Sequence, residues 1–249
     1  MFEYLYRRNT VLEALRGSRR NLRRIYLQQG KETPRPIIEL VKDRSLPQEV
    51  VGKQQLTQLV GDRSHQGVAL EVGPYPYSSV EEIIRLAAAR KERPFLLLLD
   101  LVHGPQNIGL LLRTAEACGT HGVIIQDRRA PDITPQVVIH SAGAAEHLLI
   151  ARVTNLGKTI ERLKRSDIWT AGLDMVDEAR PLGQVDLDIP LALVVGHEGQ
   201  GLRRLVREKC DFLLRLPMRG KVESLNAATA GSIVLYAAWQ ARWKDDGGE

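Results

Sequence analysis

Apolar positions recur at short intervals in the first third of the chain and in unbroken runs afterwards, and this change of pattern divides it. Val11, Leu12 and Leu15 share one face of a helix over Thr10 to Leu15, which Gly17-Ser18 stops. Ile25 to Leu27, Glu49 to Val51 and Val68 to Val72 read as strands, with helices over Ile37 to Lys42 and Gln54 to Val60. Short strands alternating with short helices predict a compact α/β module.

Gly73-Pro74-Tyr75-Pro76-Tyr77-Ser78-Ser79 breaks all periodicity and reads as a linker, followed by a charged helix from Val80 to about Arg90. Phe95 to Leu99 is then continuously apolar and ends on Asp100, the mark of a strand buried on both faces of a parallel sheet. Further strands are expected at Gly122 to Gln126, His147 to Ile150, Ile168 to Ala171, Leu191 to Val195 and Phe212 to Leu216. Helices are expected between and after them at Asn107 to Ala117, Leu156 to Lys164, Gly201 to Arg207 and about Leu225 to Arg242. Strands and helices in turn imply an α/β fold whose mostly parallel sheet is covered on both sides. The division that follows is a small domain over residues 1–73, a linker and connecting helix over 74–93, and a second domain over 94–244. Lys244 to Glu249 reads as a disordered tail.

Composition narrows the class. With 249 residues at 43% hydrophobic the chain can bury a sizeable core, yet its longest apolar runs are far too short to cross a bilayer. The N-terminus alternates Arg with apolar residues and offers no signal-peptide core, so no membrane partner and a cytoplasmic location are expected. Cys118 and Cys210 have neither C-x-x-C spacing nor a nearby His cluster, so no disulfide framework or metal site is expected. Residues 1–50 hold eleven Lys/Arg against six Asp/Glu, a surplus equal to the net +5 of the whole chain. Arg7, Arg8, Arg16, Arg19, Arg20, Arg23 and Arg24 fall within eighteen residues, and such a cluster fits either a solvated surface or a grip on nucleic-acid phosphates.

Three segments carry candidate chemistry. In Asp100 to Gly109, Asn107 can cap the helix that begins there, and Arg113 follows within Leu110-Leu111-Leu112-Arg113, an apolar setting that disfavours an idle cation. In Gly196-His197-Glu198-Gly199-Gln200-Gly201, three glycines expose backbone groups at a strand end, but the spacing is neither a dinucleotide fingerprint nor a Walker loop. His197 reads as a loop residue there. In Leu216-Pro217-Met218 through Ser224-Leu225-Asn226-Ala227 to Gly231, small residues allow close helix packing and Ser224 can cap, while packing leaves the polar Ser224 and Asn226 unexplained. Turns placed directly after apolar runs are how a parallel sheet offers main-chain groups to a ligand at its strand ends.

In this order and spacing, the three segments resemble the signature motifs of the SpoU/TrmH branch of the SPOUT RNA methyltransferases, over about residues 95–242. The N-terminal part is similar to that family's small substrate-binding domain of ribosomal-protein L30e type, through Arg8-Asn9-Thr10-Val11-Leu12-Glu13-Ala14-Leu15 and His65-Gln66-Gly67-Val68. Gly143-Ala144-Ala145-Glu146 and Val153-Thr154-Asn155-Leu156 resemble the bacterial 23S rRNA guanosine 2′-O-methyltransferase subgroup. Three positions depart from the usual pattern: Gly104 where Asp commonly precedes Pro, Arg8 in place of Gly, and Ala227-Ala228 in place of a frequent Val-Ser pair.

The resemblance implies a trefoil-knotted catalytic domain, S-adenosylmethionine as methyl donor, RNA as substrate and a homodimer with the terminal helix at its interface. It implies that Gly196, Leu216 and Leu225 line the donor site through backbone contacts, with Met218 and Ala227 nearby. It also implies a catalytic cluster of Asn107, Arg113, Glu198, Ser224 and Asn226. Arg113 is expected either to handle the proton of the ribose hydroxyl or to position charge beside it. A guanosine of 23S rRNA is the expected target, against tRNA or another rRNA site. Two rivals stand beside this reading. A nicotinamide-dependent dehydrogenase lacks its G-x-G-x-x-G here, and a non-catalytic RNA-binding protein would draw only on the basic N-terminal module.

Overall fold

The computed structural model describes residues 2–127, 132–222 and 224–243, which form two units. The expected tail over 244–249 lies outside the described residues. The first unit holds residues 1–76 together with a later excursion, Asp132–His147. Its elements are β1 (Glu3–Tyr6), α1 (Arg8–Arg16), β2 (Leu22–Gln28), α2 (Arg35–Asp43), β3 (Gln48–Val51), α3 (Lys53–Val60) and β4 (Val68–Val72). They form a four-stranded sheet of order β1-β4-β2-β3, antiparallel except where β2 pairs β3. β1 escapes the sequence pattern because four residues show too little periodicity.

The excursion joins this unit through its core and through one buried cation. Ile139, on the helix Pro135–His140, packs with Tyr6, Val51, Leu56 and Ala69. Gln136 donates to the Tyr6 hydroxyl at 2.8 Å. Arg20, its side chain wholly buried, pairs with Glu3 at 2.8 Å and with the buried Glu146 at 3.0 Å, and its guanidinium lies 5.1 Å from the Tyr75 ring. Burial pushes the Glu146 carboxyl up, against the pull of Arg20. Much of the N-terminal arginine cluster is therefore used internally. Arg16, Arg23 and Arg24 also pair with Glu13, Glu71 and Glu49, and Arg23 sits 3.8 Å over the Phe2 ring.

The second unit holds the described residues of 77–131 and 148–249. Counting Pro135–His140 as α6, its elements are α4 (Val80–Arg90), β5 (Phe95–Asp100), α5 (Pro105–Ala117), β6 (Gly122–Gln126), β7 (Ile150–Val153), α7 (Leu156–Lys164), β8 (Trp169–Leu173), β9 (Arg180–Pro181), β10 (Leu191–Gly196), α8 (Arg204–Lys209), β11 (Phe212–Arg215) and α9 (Ala227–Arg242). The strands form one sheet of order β7-β6-β5-β10-β8-β11-β9, and each described pairing in it is parallel. Every residue of β5, β6 and β10 is buried, as their unbroken apolar runs require of strands covered on both faces.

Two elements lie later than the sequence pattern places them. β7 begins at Ile150 and not at His147, because Ala144–Glu146 forms a 3-10 turn and Leu149 contributes only a carbonyl to Val123. α8 begins at Arg204 and not at Gly201, because the amide of Arg203 is drawn to the Asp100 carboxylate at 2.9 Å.

α9 is fixed at both ends. Gly231 is its point of closest approach: a Cβ there would stand 2.7 Å from Leu111 of α5 and 3.0 Å from Val195 of β10. At the last turn Arg242 donates to the carbonyls of Leu187, Arg93, Pro94 and Ile189, with its guanidinium 4.4 Å from the Phe95 ring. Burial pulls this guanidinium down to about 10, so it stays charged at neutral pH. No helix among the described residues is long and apolar enough to cross a membrane.

Two buried histidines give stability a pH dependence. Nδ1 of His65 accepts from the Gly67 amide at 3.0 Å, and Nδ1 of His121 accepts from the Phe95 amide at 3.0 Å. Burial holds both imidazoles below the ordinary 6.5, the attraction of Glu92 at His121 notwithstanding. A base whose folded pKa is depressed binds its proton more readily when unfolded, so its stabilising share is present above 6.5 and is lost as pH falls. The thermal midpoint should therefore drop between about pH 7 and about pH 5, and His121→Gln should flatten the slope in a melting series.

Candidate active site

The strand ends of β10, β8 and β11 open onto one cleft of about 290 Å³. Its floor is the end of β10. Gly196 stands where a side chain has no room, since a Cβ would lie 2.4 Å from the backbone carbon and oxygen of Gly201. Beyond it, His197 and Gly201 exchange reciprocal amide-to-carbonyl bonds of 3.0 Å, closing a tight loop that carries Glu198, Gly199 and Gln200 along the cleft. Leu216 and Met218 enter after β11, Ser224 and Leu225 follow, and Ala227 contributes from the first turn of α9.

At the cleft, side chains from three distant segments are joined in series. Asn107 Nδ2 donates to Glu198 Oε1 at 2.5 Å, and Asn226 Nδ2 donates to Asn107 Oδ1 at 3.1 Å. Asn226 Oδ1 in turn accepts from the amides of Ala228 and Thr229 at 2.8 and 3.2 Å, so the series ends on the α9 N-terminus. Each amide is used on both sides, which fixes its orientation and leaves the second oxygen of Glu198 for a ligand or a neighbour.

Two capping expectations are corrected here. Asn107 does not cap α5: the cap position is Gly104 and the helix starts at Pro105, so Asn107 stands on the first turn and turns its amide to Glu198. Ser224 does not cap α9 either, because the closer Asn226 holds that position. Ser224 is exposed on the cleft wall.

Arg113 stands apart from this series. It is exposed on α5, two turns along from Pro105, makes no hydrogen bond or ion pair among the described residues, and is not on the cleft wall. The apolar run around it divides by face, with Leu111 and Leu112 buried and Leu110 43% exposed. A permanently charged fork on an open surface is free to engage an external anion.

Sequence reasoning missed two parts of the site. Asp100, fully buried at the end of β5, binds Arg203 through Nε at 2.7 Å and NH2 at 2.6 Å, and Arg203 continues to Gln126 at 3.0 Å. This brace anchors the far end of the 197–203 loop, and the signal for it was an acid closing an apolar strand, which demands a partner. Leu173, Asp174 and Met175 form the opposite wall because β8 lies beside β10, an adjacency that chain order does not reveal.

The lining suits a ligand with a flat apolar group and a charged arm. Leu173, Leu216, Met218 and Leu225 supply apolar surface, and Asp174, Glu198 and Ser224 supply polar ends. Thiolate chemistry does not belong here, since burial pushes Cys118 up to about 11 and Cys210 up to about 12. Among the described residues no group of three His, Cys, Asp or Glu is placed to hold a metal ion.

Comparison with known proteins gives this geometry its context. The model of the SpoU rRNA Methylase family matches residues 94–236, and that for RNA 2′-O ribose methyltransferase substrate binding matches residues 4–78. The chain is 40% identical over 242 residues, 96% of each protein, to YacO of Bacillus subtilis, which is assigned to the TrmH family of tRNA/rRNA methyltransferases. Among solved structures it resembles the SpoU methyltransferase AviRb from Streptomyces viridochromogenes, with a TM-score of 0.81 and 25% identity over 97% of this chain and 90% of that one. AviRb in complex with the cofactor AdoMet superposes with a TM-score of 0.80 at 24% identity, over the same shares of the two chains.

Proposed function

The chain belongs to the SpoU rRNA methylase family, and on that premise we propose that it transfers a methyl group from S-adenosylmethionine to the ribose 2′-hydroxyl of a guanosine in 23S rRNA. The observation that carries the reading is the Glu198-Asn107-Asn226 series, whose Glu198 lines the cleft while the two asparagines stand behind it, off the lining. It ties the first turn of α5, the loop after β10 and the start of α9 into a fixed polar edge beside an apolar pocket.

The lining of the cleft supports a donor site. Leu216, Met218, Leu225 and Ala227 offer an apolar bed, and Gly196 lets the Gly201 backbone close tightly over the end of β10, which holds the loop along the cleft. When bound, the donor supplies an electrophilic methyl group. Everything else falls to the protein, because a ribose hydroxyl is a weak nucleophile and must be aligned while its proton leaves. In this reading Glu198, held by Asn107, orients the ribose, Ser224 and Asn226 shape the donor loop, and Arg113, which is off the wall of its own cleft, reaches across a subunit contact to hold the substrate phosphate and steady charge at the hydroxyl in the second copy's cleft. Arginine is so reluctant to lose its proton that positioning is its principal role.

The active unit in this reading is a homodimer. Leu110 is 43% exposed on α5, and Ile233, Tyr236 and Trp243 are 43%, 52% and 61% exposed on and just after α9. Thr114 and Ser232, 2.9 Å apart, bind these two helices into one surface. An apolar strip of this kind is the usual mark of a subunit contact, and here it adjoins the otherwise unpartnered Arg113. Light scattering should give a dimer, and Tyr236→Asp should give a monomer with methyl transfer lowered in parallel. The same reading threads the segment leading into α9 as a trefoil knot.

The target is tested by mapping ribose methylation in a strain lacking this protein. Loss of one 2′-O-methylguanosine from 23S rRNA is expected. A tRNA target is the alternative, since the name of the Bacillus subtilis relative covers tRNA and rRNA alike. Loss from tRNA with the 23S pattern intact would replace the rRNA assignment.

A further inference from the structure

His197 lies on the cleft wall and has no part in the mechanism above. Nδ1 of His197 accepts a 3.0 Å hydrogen bond from the amide of Gly199. The neutral ring therefore carries its proton on Nε2. Nε2 lies 3.8 Å from Glu198 Oε2, the carboxylate oxygen that Asn107 leaves free. The backbone of His197 is held by its two bonds to Gly201, and its ring meets that of His103 edge to face at a centroid distance of 5.5 Å. Ring, tautomer and backbone are thus set by three separate contacts, and the remaining donor stands beside the second oxygen of Glu198.

We infer that His197 is a positioning residue for the methyl-transfer reaction: its Nε2–H completes the bracket around Glu198 that Asn107 begins, and the His103 ring keeps it in place. This rests on the functional reading of the cleft given above. At 3.8 Å the pair is longer than a hydrogen bond, and loading the cleft is the event that shortens it, as active-site contacts commonly tighten on substrate binding. His197 does not act as the proton acceptor, because its one lone pair is already engaged by Gly199.

The test compares the parent with His197→Ala, His197→Phe and His197→Gln, each checked for an unchanged melting temperature. Methyl transfer to total RNA from the deletion strain is followed alongside donor binding by calorimetry. Ala and Phe should lower kcat about 10-fold, with donor affinity within about twofold of the parent, since only the alignment of Glu198 is lost. Gln, which restores an N–H donor without the ring, should recover most of the rate. Parent-like kcat in all three variants would overturn the inference while leaving the methyltransferase reading intact. Recovery by Phe and not by Gln would also overturn it, assigning His197 to ring packing. A parent with no transfer to RNA would overturn the functional reading and this inference with it.

Discussion

Replacing Arg113 by alanine is expected to lower methyl transfer on the order of 10²–10³-fold, the cost of removing one charge-stabilising donor from a reacting centre. Donor affinity should stay close to that of the parent. The separation follows from position: Arg113 is exposed on α5, away from the cleft lined by Leu216, Met218 and Leu225, so its removal leaves the donor's bed untouched. Arg113→Lys keeps the charge but not the planar fork, and should recover only a fraction of the rate. Single-turnover kinetics with saturating donor, alongside calorimetric titration of the donor, measures both terms. An Arg113→Ala protein that transfers at the parent's rate would remove this residue from the mechanism.

The converse result is expected at Gly196. Gly196→Val places branched carbons where a single Cβ would already lie 2.4 Å from the Gly201 backbone, and that backbone belongs to the loop closed by His197. The loop must shift, and with it Glu198 and the floor of the cleft. Donor affinity should fall, and methyl transfer should drop on the order of 100-fold, the scale that misplacing reacting groups by about 1 Å produces. The fold should survive, since the displaced residues lie beyond the end of β10. Equilibrium dialysis with labelled donor, paired with a thermal melt, distinguishes a lost site from a lost fold. Parent-like donor affinity in this variant would place the donor elsewhere.

What could be read from the sequence depended on how local the physics was. Phe95 to Leu99 reads from sequence as a strand buried on both faces, and Gly122 to Gln126 and Leu191 to Val195 as further strands, because full burial leaves no polar alternation to confuse the pattern. The motif residues Asn107, Glu198 and Asn226 were identified through family resemblance, and the structure joins them by hydrogen bonds across 91 and 119 positions of chain. No periodicity could show that.

The capping roles read for Asn107 and Ser224 failed for a common reason. A polar residue near a helix start is a cap by default, and only the fold reveals a nearby residue that takes the position, Gly104 in one case and Asn226 in the other. The arginine cluster was likewise ambiguous in sequence. Arg20 reads as one more surface cation until Glu146, more than a hundred residues later, is found beside it in the same buried unit. The non-catalytic RNA-binding alternative gives way on other grounds, the match of residues 94–236 to the SpoU rRNA Methylase family.

The central claim is a reaction: methyl transfer to a ribose hydroxyl of RNA. Purified protein should be incubated with tritium-labelled S-adenosylmethionine and total RNA from a strain lacking it, and the RNA then hydrolysed with alkali. A 2′-O-methyl group blocks cleavage of its own phosphodiester, so the account predicts that the label will emerge in one alkali-resistant dinucleotide with methylguanosine at its 5′ position. Label recovered on a base, or no label in RNA from an intact, donor-binding protein, would contradict it.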